Sequence, residues 1–386
     1  MDETLFAELN KIEPRMKEWF AWLHENAELS GHEVNTAAYV ADLLESWGYD
    51  VTRNVGENGV VVTLRRGSGA HSIGLRADMD ALPVQEDGTC RVTSKTPGVS
   101  HMCGHDGHMA MLLGAAHYLA ESGNLNGTLT LVFQPAEENF SGAQKMIDDG
   151  LFERFPIEAM FGLHNSPSYP TGKVYLGAGP ILTASDHVRI IVHGKGAHGA
   201  FPHAGCDPIV AASSIVMALQ SVISRNLDPR DTGVITVGKF QAGTAENIIP
   251  NEATLDLSIR SATHEGRELI LNHVKTIAEM QAASYGASAE FKHIRHGAVV
   301  VNDSALHDRL VDMLTPRLGS DNVDPVGFKE MASEDFAFYG DHVPSFYGFL
   351  GIGDSKVNHN PGYAFNEDAL VSGAAYWVTI AEGFLR

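Results

Sequence analysis

The chain has 386 residues, enough for two domains or more at about 100–200 residues each. With 44% hydrophobic and 19% charged residues it has the composition of a folded globular protein, not of a disordered one. Its net charge of −21 argues against a phosphate-binding surface and so against nucleic acid as partner, and no run of about 18 consecutive apolar residues is present to span a membrane.

From the N-terminus, Asp2, Glu3, Glu8, Lys11 and Glu13 break up any apolar run of the kind a secretory signal needs. Apolar spacing predicts helices over Phe6–Glu28 and Asn35–Trp47. Strands are predicted over Val60–Leu64, Ser72–Leu75 and Thr128–Phe133, with helices over Met109–Glu121 and Ser141–Asp149. This alternation predicts an α/β layer with a mostly parallel sheet and flanking helices. The central segment has strands at Val188–Val192, Gly233–Phe240, Ala253–Arg260 and Ala289–Ile294, and helices at Pro208–Ser224 and Gly266–Ala283. That βαββαβ order predicts a small α+β unit with one solvated sheet face. Helix and strand then resume at Ser304–Leu318, Ser345–Gly351 and Glu367–Phe384.

Charge divides the chain at the same places. Residues 185–297 carry 10 Lys+Arg and 11 Asp+Glu, whereas the remainder carries 17 and 37. The simplest organisation is a catalytic domain from residues 1–184 and 298–386, interrupted by a satellite domain over 185–297.

Histidine is frequent, at 19 residues, and most of these are ordinary core or surface positions. One run stands apart: His101-Met-Cys103-Gly-His105-Asp106-Gly-His108 packs three histidines, a thiol and a carboxylate into eight residues. Thiol and imidazole two residues apart can share a metal ion, and the glycines let the backbone bend close to a cation. The helix predicted from Met109 places this run on a strand-to-helix loop. Glu137 and Glu138 follow the apolar strand Thr128–Phe133. Adjacent acids there repel unless a cation holds one of them, which leaves the other free as a base. His164 follows an apolar stretch at Ala159–Phe161, and His359 lies in a loop after Ser345–Gly351; each alone reads as structural. Ser333-Glu334-Asp335 alone reads as a helix N-cap with first-turn acids. Cys90 and Cys206, the other two cysteines, have no ligand-type residues at matching sequence spacing. Three cysteines make no disulfide framework and fit a reducing cytoplasm.

Gly194-Lys-Gly196-Ala-His-Gly199 matches a dinucleotide fingerprint, but Pro202, Gly205 and Pro208 delay the helix that such a site requires. P-loop and serine-hydrolase motifs are absent.

Taken together, several segments resemble the di-metal amidohydrolases of aminoacylase/carboxypeptidase type. The closest likeness is to the subgroup of hippurate hydrolases, N-acyl-L-amino acid amidohydrolases and indole-3-acetyl-amino acid hydrolases. The matching segments are Arg76–Pro83, His101–Ala110, Phe133–Glu138, Gly162–Pro167, Gly194–His203, Glu246–Pro250, Ser333–Phe336 and Asn358–Asp368. The resemblance implies Cys103, His105, Glu138, His164 and His359 as ligands of two divalent ions per subunit, zinc, manganese, nickel or cobalt. It implies Glu137 as general base and His198 as oxyanion stabiliser, often supplied from a partner subunit. Asn247 and Arg260 match substrate-binding positions, and Asp78, Asp80, His108 and Glu334 match supporting groups behind the ligands. It also implies a homodimer or higher homo-oligomer paired through the satellite domain.

One departure is His24-Glu-Asn-Ala27-Glu28-Leu29, where relatives carry proline at the position of Ala27; this is expected to alter only a helix end. The activity implied is hydrolysis of an N-acyl-L-amino acid to a carboxylic acid and a free amino acid. The alternatives are a small-peptide or N-acetyl-diaminopimelate deacylase, a metal-binding relative without activity, and a structural-zinc protein. The presence of Glu137 argues against an inactive relative. Five ligands plus a free acid argue against a closed four-coordinate zinc site.

Overall fold

The computed structural model describes residues 1–386. The chain divides into two compact units. The first comprises Met1–Gly179, Val301–Lys329 and Asp335–Arg386; the second comprises Pro180–Val300 and Glu330–Glu334. The short run Glu330–Glu334 carries no composition signal of its own. It joins the second unit through Thr183, whose hydroxyl donates to Met331 O and Ala332 O at 3.1 Å each.

In chain order the first unit contains α1 (Glu3–Glu25), α2 (Val34–Ser46), β1 (Asp50–Val55), β2 (Gly59–Arg66), β3 (Ser72–Asp78), α3 (His105–Glu121), β4 (Gly127–Gln134) and α4 (Gly142–Asp148). It continues with β5 (Met160–Ser166), β6 (Val174–Tyr175), α5 (Ser304–Leu318), β7 (Val323–Asp324), β8 (Ser345–Gly351) and α6 (Leu370–Phe384). Its eight-stranded sheet has the order β1-β2-β4-β3-β5-β8-β6-β7. The central run β4-β3-β5-β8 is parallel. Antiparallel pairing enters at β1, β2 and β6. Every residue of β3, β4 and β8 is buried, as expected for parallel strands covered on both faces.

Helices α1, α3 and α6 bury apolar stripes in the same core, including Leu5, Leu9, Met16, Leu112, Ala116, Trp377 and Ile380. Gly114 lets α3 approach α1: a Cβ there would lie 2.2 Å from Met16 Sδ. Asp2 caps α1 by accepting from Leu5 N at 3.1 Å. The helix stops at Glu25, three residues short of its predicted end and without a proline. Asn26 Nδ2 bonds Trp22 O, and Glu28 turns away to accept from Thr36 N (2.9 Å) in the first turn of α2. The substituted Ala27 therefore leaves this helix end intact.

The second unit has strands Ala184–His193, Gly233–Ala242, Glu252–Ser261 and Ser288–Gly297, and helices Pro208–Arg225 and His264–Ser284. All strand neighbours are antiparallel, and Glu252–Ser261 pairs with Gly233–Ala242 on one side and Ala184–His193 on the other. Ala253, Leu255, Leu257 and Ile259 face a core shared with Ala211, Ile215, Leu219, Ile270 and Val274. Helix Pro208–Arg225 is long and apolar enough to cross a bilayer by length and composition alone, but only one face of it packs into this core.

Candidate metal centre

The ligand candidates and the acids beside them come from five places, the turn of Cys103 and His105 at the start of α3 and four at one end of the central strands. Asp78 ends β3, and Glu137 and Glu138 follow β4. His164 lies in β5, and His359 lies in the loop after β8. This is the carboxyl end of parallel strands, where such sheets place their sites. The loop predicted for the Cys103 run is partly helix: α3 starts at His105, with Gly104 as N-cap in the left-handed region (φ 96°, ψ 16°). A side chain at Gly104 would strike Asn165 Nδ2 at 2.3 Å and Tyr363 Oη at 2.4 Å. Cys103 and His105 are thereby presented on either side of a tight turn.

Cys103 Sγ lies 3.5 Å from His164 Nε2. Glu138 Oε1 lies 3.3 Å from His359 Nε2 and 3.9 Å from His105 Nε2. Tetrahedral bonds of about 2.0–2.3 Å place neighbouring ligand atoms roughly 3.3–3.8 Å apart, which is the spacing seen here. Two overlapping sets emerge, Cys103–His105–His164 and Cys103–Glu138–His359, with the donor atoms of each within 4.8 Å of one another. Cys103 belongs to both. Glu137 groups with His105 and Glu138 at the same span.

The donor set fits divalent ions on a further observation. His105 Nε2 and Glu138 Oε1 are buried atoms with no hydrogen-bond partner, a costly state that a cation would relieve. The other nitrogens are already committed: His105 Nδ1 to Asp80 O (2.8 Å) and His164 Nδ1 to Asn165 O (2.7 Å). Both rings thus turn Nε2 inward, the nitrogen that a bound ion would take. Burial, and then His108, push His164 down to about 3, so it is a neutral imidazole. Burial raises the Cys103 thiol, with Glu138 adding to the effect. A nearby cation is what would make it a thiolate.

Residues 74–383 match Peptidase family M20/M25/M40. The chain belongs to this family. It is similar to the hippurate hydrolase of Campylobacter jejuni, with 41% identity covering 94% of this chain and 95% of that one. It is similar to the N-acetyl-L-cysteine deacetylase of Bacillus subtilis at 36% identity, over 92% and 84% of the two chains. Its fold is like that of a dinuclear metal-binding peptidase of the M20 family from Bacillus subtilis: TM-score 0.85, 31% identity, covering 97% and 99%. The chain is accordingly an M20 amidohydrolase.

Behind these candidate ligands lies a buried polar frame. Asp78 Oδ1 meets His108 Nδ1 at 2.6 Å, and His108 Nε2 accepts from Asn165 N at 3.1 Å. Burial works to raise Asp78, but His105, Arg76 and His108 outweigh it and hold the carboxyl well below its usual range. Asp80 Oδ2 accepts from Ser30 Oγ (2.7 Å) and Glu138 N (3.0 Å). Residues that sequence reasoning left unassigned complete the frame. Arg76, only 1% exposed, donates to Asp78 (2.8 Å), Asp335 (3.1 Å) and Gln134 (2.9 Å). Asp335 opens a 3₁₀ turn and reaches this frame through Arg76 and Gln134; its neighbour Glu334 is also buried. Asn165 and Asn358 both donate to Cys103 O, at 2.6 and 2.8 Å. Glu33 accepts from Ala136 N (2.8 Å), pinning a residue at φ 54° immediately before Glu137.

The second unit brings His198 and Asn247 together. The bridge His198↔Ile248 sets them side by side on a cavity of about 680 Å³. His198 is exposed, and its Nδ1 accepts from Ala200 N at 3.0 Å. Arg260, half-buried, makes one hydrogen bond to Ser333 Oγ (2.6 Å) and no ion pair.

Proposed function

We propose that this enzyme hydrolyses the amide bond of N-acyl-L-amino acids, hippurate-like or with other acyl and aryl-acyl groups. The products are a carboxylic acid and a free amino acid. The observation that carries the reading is the shared Cys103 thiol at the meeting of two ligand sets, with the carboxylate of Glu137 grouped beside them with His105 and Glu138. The names of its relatives, a hippurate hydrolase and an N-acetyl-L-cysteine deacetylase, support the substrate class.

Cys103, His105, Glu138, His164 and His359 would hold two divalent ions, zinc, manganese, nickel or cobalt, which when bound polarise a carbonyl and bring the pKa of water toward about 7. Glu137 removes a proton from the attacking water as its oxygen bonds to the acyl carbon. The C–N bond then breaks, and Glu137 returns that proton to the departing amine. His198 donates to the carbonyl oxygen as it gains charge, and Asn247 binds the substrate beside it. Arg260, a guanidinium without a counter-ion, takes the substrate carboxylate. A positive group of this kind is needed because a chain at −21 repels an anionic substrate at long range.

Pairing of two copies through the satellite unit is part of this reading, with His198 acting across a domain or subunit boundary. Support comes from the exposed apolar residues Phe201, Val210, Met217 and Phe240 on that unit. A cytoplasmic location accords with the three free cysteines.

The test is a panel of N-benzoyl-, N-acetyl- and N-indole-acetyl-amino acids given to the metal-reconstituted enzyme, with free amino acid measured. Release from members of the panel supports the reading. Release only from dipeptides with a free amino end would replace it with a peptidase.

A further inference from the structure

Outside the centre described above, a second set of metal-type donors converges from two distant parts of the first unit: His24 near the end of α1, and Glu86 and Cys90 in the segment between β3 and α3. Their donor atoms lie within 4.8 Å of one another. No sequence spacing announces this, because His24 and Glu86 are 62 residues apart.

The geometry has the features of a ligand set. His24 Nδ1 is held by Asp106 Oδ2 at 2.6 Å. A carboxylate on one imidazole nitrogen fixes the ring and leaves the other to face a metal. That other nitrogen, Nε2, points to Glu86 Oε2 at 3.2 Å, close to the roughly 3.3–3.8 Å between ligands of one tetrahedral ion. Glu86 is itself oriented, since its Oε1 accepts from Ser94 N at 2.5 Å. His24 and Glu86 are almost fully buried, whereas Cys90 is half-buried and open to entry. Without an ion the Cys90 thiol donates to Tyr363 O at 3.0 Å.

We propose that His24 Nε2, Glu86 Oε2 and Cys90 Sγ form a third divalent-metal site, separate from the catalytic pair, that takes zinc or a similarly thiophilic ion. Binding replaces the Cys90 S–H and the His24 Nε2–H by bonds to the ion, and both protons pass to solvent. The ion is structural. It ties the segment carrying Glu86 and Cys90 to α1, and through Asp106 to the first turn of α3, beside His105. It also adjoins Tyr363, whose hydroxyl donates to Asn165 Oδ1 at 2.7 Å, and Asn165 in turn holds the carbonyl of Cys103.

The experiment compares zinc content per chain, after loading and gel filtration, for the natural protein, Cys90→Ala and Glu86→Gln. The expected result is one ion fewer in each variant; equal content in all three overturns the proposal. The readout is a difference between chains, so it stands or falls independently of the hydrolase reading and of how many ions the catalytic set holds. A measurement on the unaltered chain guards against a variant that folds poorly. Metal-stripped protein is alkylated with and without zinc, and modification of Cys90 is followed by peptide mass spectrometry. At zinc about tenfold above its Kd, Cys90 labelling should slow about tenfold. Labelling of Cys90 that zinc does not slow overturns the proposal.

Discussion

Cys103 Sγ and His164 Nε2 meet at 3.5 Å across 61 residues of sequence, and the same sulfur also belongs to the set with Glu138 and His359. On the proposed reading Cys103 would therefore be common to both ion positions. Cys103→Ser is expected to weaken both ions together, seen as a parallel fall in the two equivalents on titration with a competing chelator. Retention of one ion at its original affinity would show that Cys103 serves a single position.

Glu137→Gln keeps the shape of the turn and removes the base. Turnover should fall by about 10²–10⁴, the usual cost of losing a general base. Metal content should be unchanged, because Glu138 supplies the ligand. Near-normal rates in a fully loaded variant would remove Glu137 from the mechanism.

Arg76 is buried between Asp78 and Asp335, and both contacts are charge-assisted. Asp335→Asn leaves a buried guanidinium with one carboxylate fewer, a change that typically costs about 3–5 kcal/mol. A lower denaturation midpoint at unchanged slope is expected. An unshifted midpoint would show that Asp78 and Gln134 suffice to hold Arg76.

In the second unit Asp186 bonds Arg267 (2.7 Å) and His293 (2.7 Å). Burial would raise the Asp186 carboxyl, but these two partners outweigh it and hold it below its ordinary value. A depressed carboxyl adds stability above its unfolded pKa of about 3.9, and that stability is lost as pH falls through the folded value. Asp186→Asn should therefore be less stable than the natural chain at pH 7, with the gap closing below about pH 4. An equal gap at pH 7 and pH 3 would mean that the contact contributes packing and not charge.

The alternation of elements was legible because buried strands and amphipathic helices have distinct periods. The clean alternation of Ala253, Leu255, Leu257 and Ile259 reappears as a one-sided buried face. Boundaries failed where charge is buried. β3 extends past Leu75 to Asp78 because Arg76 and Asp78 neutralise each other inside the sheet, and a pattern of apolar residues cannot register that. β1, with Asp50 and Arg53, is an edge strand with little apolar signal. The start of α3 was hidden for a related reason: His105, Asp106 and His108 read as loop residues, yet they occupy its first turn and are buried. The candidate ligands were legible through local density and family likeness. Asp335, Asn165, Asn358 and Glu33 act through contacts that only the folded chain creates. The convergence of Cys90 with His24 and Glu86 is of the same kind.

The central claim is tested most directly by the rate of amino acid release from an N-acyl-amino acid, measured on metal-stripped enzyme before and after divalent ions are restored. The account predicts no release from the stripped enzyme and sustained release after reloading. Release at the same rate without metal, or none from any N-acyl-amino acid by the fully reloaded enzyme, would contradict it.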